Sequence, residues 1–383
     1  MEAMYKYLPD NKINWDLILN ELLMPFKDSL EKTNQEMKWH GEGNVLIHTK
    51  MVCEALIKLD EYKLLNKDER LVLFLSALFH DIAKPVCTKI VGGEITSPNH
   101  GPVGASITRE YLYTKYNLAG KKEYLSIREG ICLLIKYHTS LLHIDNNEAG
   151  IKRLIKISLN NSLTSYFNIR NLAILSNADV LGRISNDTDM QLKKLDNSIL
   201  LAKEINVYDR PFTFSNSFTK YKYLNNDNIW YNQTLYDDTW GEVIMMSGLP
   251  GVGKDTYIKN NLSLPVISLD DIRNRLNIKP TDDQGMVINE AINIAKGYLR
   301  CKQPFIWNAT NTSCMIRKKI INIINDYHAK IKIIYLEASY QETLKRNNER
   351  NKKVPNSVID KLLMHMNIPE AYEAHEVIWH INE

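Results

Sequence analysis

A glycine-rich stretch over residues 248–256 carries the residue types that bind a nucleoside triphosphate. It reads Gly-Leu-Pro-Gly-Val-Gly-Lys-Asp-Thr, between the apolar run Val243–Met246 and a predicted helix over Thr256–Asn261. In such a strand–loop–helix context, backbone N–H groups and a helix N-terminus face one anion while a lysine reaches the outer phosphates. We therefore expect nucleotide binding by Gly248, Gly251, Val252, Gly253, Lys254, Asp255 and Thr256.

One position departs from the usual P-loop pattern. The residue after the lysine normally carries the hydroxyl that holds Mg²⁺, but here Asp255 follows Lys254, and Thr256 comes one residue later. A glycine-rich turn with a surface lysine is the alternative interpretation.

Partner residues for phosphoryl transfer occur later in the chain. Asp270, at the end of the second predicted strand, could orient and deprotonate a hydroxyl, or could cap the next helix. Arg273 falls on the same helical face and could hold an acceptor phosphate. Arg346 and Arg350 share one face of a predicted helix and could reach over ATP as a lid, although a solvated charged face is the common alternative.

Histidines and aspartates in the first half of the chain form a second candidate site. His80 and Asp81 end the otherwise apolar segment Leu71–Phe79, where two polar groups would be costly without a strong partner such as a metal ion. Histidine and carboxylate ligands suit Mn²⁺, Fe²⁺, Co²⁺, Ni²⁺ or Zn²⁺, and such ions promote phosphoester hydrolysis. Taken singly, each histidine is more often a hydrogen-bonded core or surface residue. The full candidate set is His48, His80, Asp81, His100, His138 and Asp179.

The elements that position these residues differ between the two halves. Residues 1–204 are predicted to be mostly helical, with helices over 45–59, 70–83, 102–116, 127–137, 150–159 and 171–181. Residues 205–241 are rich in aromatic residues and asparagine without a clear period, which indicates an ordered connector. From 242 to 383 apolar strands over 243–247, 266–269, 305–309, 332–336 and 377–381 alternate with helices, which predicts a parallel sheet between helices with the ligand at the carboxyl ends of the strands.

Composition leaves the partner class open. The 383 residues are 44% hydrophobic and 24% charged, with a net charge of +3. The charge therefore identifies no partner, and nucleic-acid binding would need a local patch. We expect a cytoplasmic protein without a signal peptide, a membrane span or a membrane partner, and reduced thiols, since the five cysteines include no CxxC pair.

The helical half resembles the HD phosphohydrolase superfamily in the order His48, His80-Asp81 and Asp179, and in the flanking stretches 39–45, 77–79 and 178–183. The resemblance implies an all-helical HD-domain fold and a four-ligand metal site formed by those residues. It further implies His100 and His138 as ligands of a second ion, with Asp81 bridging and catalytic. Lys84, Arg183, His40 and Glu42 are candidates for gripping phosphate, although a structural role is as common for such residues.

The second half resembles 5′-polynucleotide kinases in residues 248–254, 270–273, 309–311 and 346–355. The resemblance implies Asp270 as general base, Arg273 as a ligand of the acceptor phosphate, and catalytic Lys254 and Arg350 with Arg346 as second lid residue. Two departures are Asp255 and the pair Asn308-Ala309, which stands where members often have an acid.

Together the two halves resemble the bacterial HD-Pnk enzymes over nearly the whole chain. This implies a bifunctional enzyme that heals the ends of RNA, or of DNA, and works before a 3′-OH/5′-phosphate RNA ligase. ATP or another NTP would be the donor with Mg²⁺ or Mn²⁺, and one or two Mn²⁺, Ni²⁺, Co²⁺ or Fe²⁺ ions would serve the HD site. Two alternatives stay open: a small-molecule or nucleoside kinase fused to an HD nucleotidase, and a nucleotide-sensing regulator.

Overall fold

A computed structural model describes residues 2–8, 12–225, 229–279, 282–350 and 353–381. The chain divides into two compact units: residues 1–116 with 125–212, and residues 117–124 with 213–383. The stretch 205–241 is therefore shared between the units, and its residues 226–228 lie outside the described part. No helix within the described ranges is long and apolar enough to cross a membrane.

The first unit is built mainly from helices. Shorter 3₁₀ segments cover Glu2–Tyr7, Ser140–His143 and Leu159–Ser162, and Ile18–Leu22 is a π-helical turn. The α-helices are α1 (Trp15–Leu17), α2 (Lys27–Lys32), α3 (Val45–Leu56), α4 (Asp60–Lys63), α5 (Lys67–Phe79), α6 (Lys84–Cys87), α7 (His100–Thr114), α8 (Lys122–Tyr137), α9 (Glu148–Ser158), α10 (Ile169–Leu181) and α11 (Thr188–Glu204).

Helix α5 forms the centre of this unit. Its N-terminus is held by a capping box in which Asn66 and Glu69 bind each other's backbone N–H groups. All residues from Leu71 to Phe79 are buried, and α5 packs against α3 and α10. The helix ends at Phe79, earlier than the predicted end at residue 83. His80 and Asp81 therefore follow directly after the last residue of the helix and lie within the core.

One β-hairpin interrupts the helices, so the expectation of an all-helical half is wrong at this place. Strands β1 (Lys89–Val91) and β2 (Glu94–Thr96) pair antiparallel. Gly92 and Gly93 join them with φ of 62° and 88°. Two consecutive left-handed residues make the tight turn whose twist suits a hairpin, and glycine adopts this conformation at low cost.

The second unit contains a five-stranded parallel sheet in the order β4-β5-β3-β6-β7. All five predicted strands are present, because buried parallel strands appear in a sequence as short apolar runs. They are β3 (Glu242–Ser247), β4 (Val266–Ser268), β5 (Ile306–Asn308), β6 (Lys330–Glu337) and β7 (Glu376–Ile381). The helices are α12 (Ser217–Asn225), α13 (Lys254–Asn261), α14 (Leu269–Leu276), α15 (Gly285–Arg300), α16 (Cys314–Asn325), α17 (Tyr340–Glu349) and α18 (Asn356–Met364).

Helix α12 lies in the stretch for which the sequence shows no period. Asn216 begins it by accepting a hydrogen bond from the backbone N–H of Thr219 at 2.7 Å. Tyr221 joins the core of the second unit and stacks on His375 with ring centroids 4.2 Å apart. The aromatic residues of this segment therefore pack against the sheet domain.

Candidate functional sites

Four imidazoles and two carboxylates converge in the core of the first unit. His48 comes from α3, His80 and Asp81 from the end of α5, and Asp179 from the last turn of α10. His100 begins α7 and His138 follows α8. The structure therefore brings together all six residues that the sequence nominates as metal ligands.

Each imidazole donates a hydrogen bond from Nδ1, which determines its tautomer. The Nδ1 atoms of His80, His100 and His138 lie 2.7 Å from backbone carbonyl oxygens, which only accept. His48 Nδ1 lies 2.9 Å from Glu42 Oε1 and 3.2 Å from the Gly182 carbonyl oxygen. A neutral imidazole protonated at Nδ1 presents a lone pair at Nε2, the atom that binds metals.

The Nε2 atoms divide into two groups with Asp81 between them. Oδ2 of Asp81 lies 3.2 Å from His80 Nε2 and 3.6 Å from His48 Nε2, and His48 Nε2 is 3.1 Å from Asp179 Oδ1. Oδ1 faces the other side, 3.4 Å from His100 Nε2 and 3.9 Å from His138 Nε2. Asp81 thus has one oxygen for each group, the geometry of a bridging carboxylate.

The donor set fits one or two divalent cations. Neither oxygen of Asp81 accepts a well-formed hydrogen bond within the described residues, although the side chain is buried. Lone pairs face each other where His48 Nε2 and His80 Nε2 are 3.3 Å apart, and where His100 Nε2 and His138 Nε2 are 3.2 Å apart. Ligands that bind one metal at about 2.1 Å lie about 3 Å apart when adjacent, so each pair is spaced as two ligands of one cation would be.

Electrostatics keeps the carboxylates ionised. Burial alone would raise the pKa of Asp81 and Asp179, but neighbouring positive groups hold both well below their usual range. Burial and the neighbouring His100 lower the pKa of His138 to about 3, so this imidazole is neutral. Burial also opposes protonation of His48, but Asp179 and Glu42 raise its pKa. The carboxylates thus favour a positive group near His48 Nε2.

Lys84 and Arg183, nominated as phosphate contacts, are placed against the ligand carboxylates. Lys84 Nζ lies 2.7 Å from Asp81 Oδ2 and donates to Gln35 Oε1 at 2.5 Å. Arg183 donates to Asp179 Oδ2 at 2.8 Å. Both cations therefore neutralise candidate metal ligands in this structure.

Glu42 lies behind the metal ligands, with a side chain that is 1% exposed. Its Oε1 is 2.9 Å from the Nδ1 atoms of both His40 and His48, and its Oε2 accepts from the backbone N–H of Ile184 at 2.9 Å. Carboxylates in this position orient metal-binding imidazoles. No local sequence signal marks this arrangement, because Ile184 is distant along the chain.

The glycine loop of the second unit follows the central strand β3. Gly248 and Gly251 have φ of 145° and 86°, and a Cβ would lie 2.5 Å from the Leu336 carbonyl oxygen and 2.6 Å from that of Thr343, respectively. Gly253, with φ of 94°, precedes α13. Only glycine meets both the backbone and the space requirement, so these residues let the loop curve beneath a phosphate group.

Lys254 folds back on this loop. Its Nζ donates to the carbonyl oxygens of Gly248 at 2.9 Å and Leu249 at 2.8 Å. Burial lowers its pKa to about 8, with Asp255 opposing this effect and Arg350 adding to it. Triphosphate binding would draw the amine away from these carbonyls, since it then gains stronger anionic acceptors.

A pocket of about 420 Å³ opens above the loop. Gly248 and Val252 are not among the residues that line it. The other nominated residues do line it: Gly251, Gly253, Lys254, Asp255, Thr256, Asp270, Arg273, Arg346 and Arg350. Leu269, Val354, Val358 and Leu362 form an apolar side that suits a base or nucleoside.

Asp270 and Arg273 meet in this pocket, as their spacing predicts. Arg273 ion-pairs with Asp270 through Nη1 and donates from Nε to Gln284 Oε1 at 2.7 Å. Asp270 is 68% exposed, so an incoming hydroxyl group has access to it. Ser268, not Asp270, is the N-cap of α14, which leaves the Asp270 carboxylate available to the pocket.

The expectation that Arg346 and Arg350 share a helix face is wrong. Helix α17 ends at Glu349, and Arg350 has extended backbone angles. Asn347 causes this ending, because its side chain exchanges two hydrogen bonds with the backbone of Val354, at 2.7 and 3.0 Å. Arg346 instead pairs with Glu342 at 2.6 Å. Arg350 Nη2 lies 3.7 Å from Asp255 Oδ2 and 3.9 Å from Asp270 Oδ2.

Comparison with known proteins concerns this kinase-like fold. A family model described as an AAA domain matches residues 243–369. The L-seryl-tRNA(Sec) kinase of Methanococcus maripaludis is 28% identical over 135 residues, which is 33% of this chain and 53% of that protein, so the chain spans about half the length of this curated relative. A gluconokinase structure from Sinorhizobium meliloti 1021 is 16% identical with a TM-score of 0.28, covering 37% of this chain and 82% of that one.

The second unit therefore contains a P-loop kinase-like domain, for which ATP and Mg²⁺ are the implied ligands. The carboxylates and the lysine of the pocket fit this pair, because Mg²⁺ is bound by one or two carboxylates together with phosphate oxygens.

Proposed function

We propose that this chain is an RNA end-healing enzyme with two activities. The second unit transfers the γ-phosphate of ATP to 5′-hydroxyl ends. The first unit, an HD-type domain, removes 2′,3′-cyclic, 2′ or 3′ phosphate from the other end. Together these reactions convert the ends left by many ribonucleases into a 3′-OH/5′-phosphate pair that an RNA ligase can join.

The observation that supports the phosphohydrolase is that the Nε2 atoms of two imidazole pairs, His48 with His80 and His100 with His138, face each other on either side of Asp81. His48, His80, Asp81 and Asp179 would hold one cation, and His100 and His138 with Asp81 a second. Bound cations supply the Lewis acidity that neutralises phosphate charge and activates water. The protein's part is to orient the imidazoles through Nδ1 and to keep the carboxylates ionised.

The observation that supports the kinase is the pairing of Asp270 with Arg273 beside the glycine loop. The Asp270 carboxylate would accept the proton of the attacking 5′ hydroxyl as the new oxygen–phosphorus bond forms. Arg273 would hold the next phosphate of the polynucleotide, which a free nucleoside lacks. Lys254 and Arg350 would stabilise the charge of the transferring group, which is the main task of the protein in this reaction.

A short RNA with a 5′ hydroxyl and a 2′,3′-cyclic phosphate tests both parts at once. The RNA is incubated with ATP and Mn²⁺, Ni²⁺ or Co²⁺, and each end is followed separately. Lys254→Ala should abolish 5′ phosphorylation and spare end-phosphate removal, and Asp81→Ala should do the reverse. Lys259→Ala, an exposed change on the same helix α13, and Asp60→Ala, an exposed carboxylate of the first unit, are the matched controls.

If wild type alters neither end with any of these metals, the proposal is refuted. Loss of both activities in one variant, with the controls unaffected, would refute the independence of the two sites.

A second candidate function is phosphorylation of a hydroxyl on a group that RNA carries, such as the seryl group of seryl-tRNA, in place of the 5′ hydroxyl. The similarity to the L-seryl-tRNA(Sec) kinase favours this candidate. Parallel reactions with the 5′-hydroxyl oligonucleotide, a free nucleoside and seryl-tRNA distinguish the acceptors. Preference for the oligonucleotide supports the role proposed for Arg273, and preference for seryl-tRNA supports the second candidate.

A further inference from the structure

The two positions at which the kinase pocket departs from the usual pattern contact each other. Asn308 is the last residue of β5, and Asp255 is the second residue of α13. The Asn308 Nδ2 group donates a hydrogen bond to Asp255 Oδ1 at 2.8 Å. A departure at one position is thus matched by a departure at the other.

The residue types of this pair are complementary. An acid at position 308 would place a second carboxylate within hydrogen-bond distance of Asp255, and like charges at that distance force one group to take up a proton. The amide donates a hydrogen bond instead, which holds one of the Asp255 oxygens in place. The other oxygen, Oδ2, faces a cation, since the Arg350 guanidinium lies 3.7 Å away.

We propose that Asp255 is the protein ligand of Mg²⁺ in this pocket and that Asn308 is its positioning residue. This inference rests on the proposed kinase function and deepens it. Kinases of this pattern often carry an acidic residue on the strand. Here the acidic residue, Asp255, lies in the first turn of the helix, and the neutral hydrogen-bonding amide of Asn308 lies on the strand. A carboxylate directly after Lys254 would otherwise only repel the triphosphate.

Arg350 would change partners when the nucleotide binds. In this structure it lies near Asp255 and Asp270, at 3.7 and 3.9 Å. With Mg²⁺ on Asp255, the guanidinium would be repelled by the metal and attracted to the phosphate oxygens. The same movement would remove a positive group from beside the Asp270 carboxylate.

Calorimetric titration of the full chain with a non-hydrolysable ATP analogue, in Mg²⁺ or in EDTA, tests the proposal. For Asp255→Asn we expect affinity in Mg²⁺ to fall by about tenfold or more, with affinity in EDTA unchanged or higher because a repelling charge is gone. Asn308→Ala should cost about tenfold in Mg²⁺ alone, the usual effect of losing an outer partner of a metal ligand. Asp271→Asn, a neighbouring exposed carboxylate outside the pocket, should change neither affinity.

The exchanged pair supplies the decisive comparison. Asp255→Ser should lose the Mg²⁺-dependent affinity, and adding Asn308→Asp should restore it by returning a carboxylate to the strand. A double variant no better than Asp255→Ser, or an Asp255→Asn variant with undiminished affinity in Mg²⁺, overturns the proposal. Failure of wild type to bind the analogue under either condition refutes the kinase function itself, and binding without 5′ phosphorylation refutes only the proposed acceptor.

Discussion

Replacing Glu42 by glutamine separates two roles for this residue, orientation of a metal ligand and contact with substrate phosphate. The carboxylate is buried, with Oε1 2.9 Å from the Nδ1 atoms of His40 and His48, and with Oε2 accepting from the Ile184 N–H. Burial would raise the pKa of Glu42, but the two histidines and the Ile184 amide lower it, so the group is an anion. An anion in this place strengthens His48 as a ligand.

The structure sets the expected size of the effect. Glutamine retains the shape but has a single acceptor oxygen. If that oxygen faces the histidines, the amide NH₂ faces the N–H of Ile184, and a buried unsatisfied donor costs about 1–3 kcal/mol of folding stability. Loss of an orienting carboxylate typically lowers metal affinity by about 10- to 100-fold, equivalent to about 1.4–2.7 kcal/mol.

The assay is a competition for Mn²⁺ or Ni²⁺ between the full chain and a chromophoric chelator, followed by end-phosphate removal at increasing metal and RNA concentrations. Glu42→Gln should need about 10- to 100-fold more metal for half-maximal rate while the KM for RNA at saturating metal stays constant. Glu54→Gln, an exposed change on α3, is the matched control, and 5′ phosphorylation is the internal one. Unchanged metal affinity together with a raised KM for RNA would refute this reasoning and indicate a phosphate contact.

Three further predictions concern the second unit. Gly251→Ala should abolish measurable binding of the ATP analogue, because its Cβ would lie 2.6 Å from the Thr343 carbonyl oxygen at a φ of 86°; binding at the wild-type level would contradict the loop geometry. Nucleotide binding should take up protons near pH 8, because burial lowers the pKa of Lys254 to about 8 and bound phosphate raises this pKa again. Titrations in buffers of different ionisation enthalpy measure the proton uptake. The Lys254→Met variant should show no such uptake. Arg317→Met should destabilise this unit by about 3 kcal/mol in urea unfolding, because the buried guanidinium binds Glu373 at 2.7 and 2.8 Å; a change below about 1 kcal/mol would contradict this estimate.

The strands of the second unit could be predicted from the sequence because each contains a short apolar run, and the central strands β3 and β6 are buried along most of their length. Continuous apolar runs such as 243–246, when they alternate with amphipathic helices, are typical of parallel strands that are buried on both faces. Six helices of the first unit were predicted, and their bounds agree with the structure to within five residues because apolar positions recur there at helical spacing. Helix α11 (Thr188–Glu204) was not among them. The hairpin at residues 89–96 is largely exposed, so its strands lack an apolar pattern, and only the Gly92-Gly93 turn signals it.

Two ion pairs that involve candidate metal ligands could also have been predicted, in this case from the spacing of their residues. Asp81 and Lys84 are three residues apart, and Asp179 and Arg183 are four apart, which are the spacings that bring side chains together on a helical turn. This spacing could have predicted that the cations neutralise the ligands. The proximity of Lys84 and Arg183 to the candidate metal ligands, taken alone, favours contact with a substrate phosphate. It does not reveal that these two side chains pair with Asp81 and Asp179.

Non-local contacts explain what the sequence could not show. The bond from Ile184 to Glu42 spans 142 residues, so it depends on how α3 and α10 pack. The end of α17 depends on Asn347 binding the backbone of Val354, since the local sequence allows the helix to continue past Arg350. The consequence for function is direct, because an arginine beyond the helix end reaches Asp255 and Asp270.

The carboxylates of the two sites differ in burial, and this difference determines how strongly each is bound by a neighbouring cation. Asp81 and Asp179 are buried beside Lys84 and Arg183, and without these cations a buried carboxylate would take up a proton and lose its ability to bind metal. Asp255 is 71% exposed and its contact with Arg350 is 3.7 Å long, so this ion pair contributes only about 0–1 kcal/mol. Arg350 can therefore leave it for phosphate oxygens at little cost. Under the proposed function, the first site would be organised before a cation binds, whereas the second would be completed by its nucleotide. A short sequence spacing between acid and base cannot distinguish these cases.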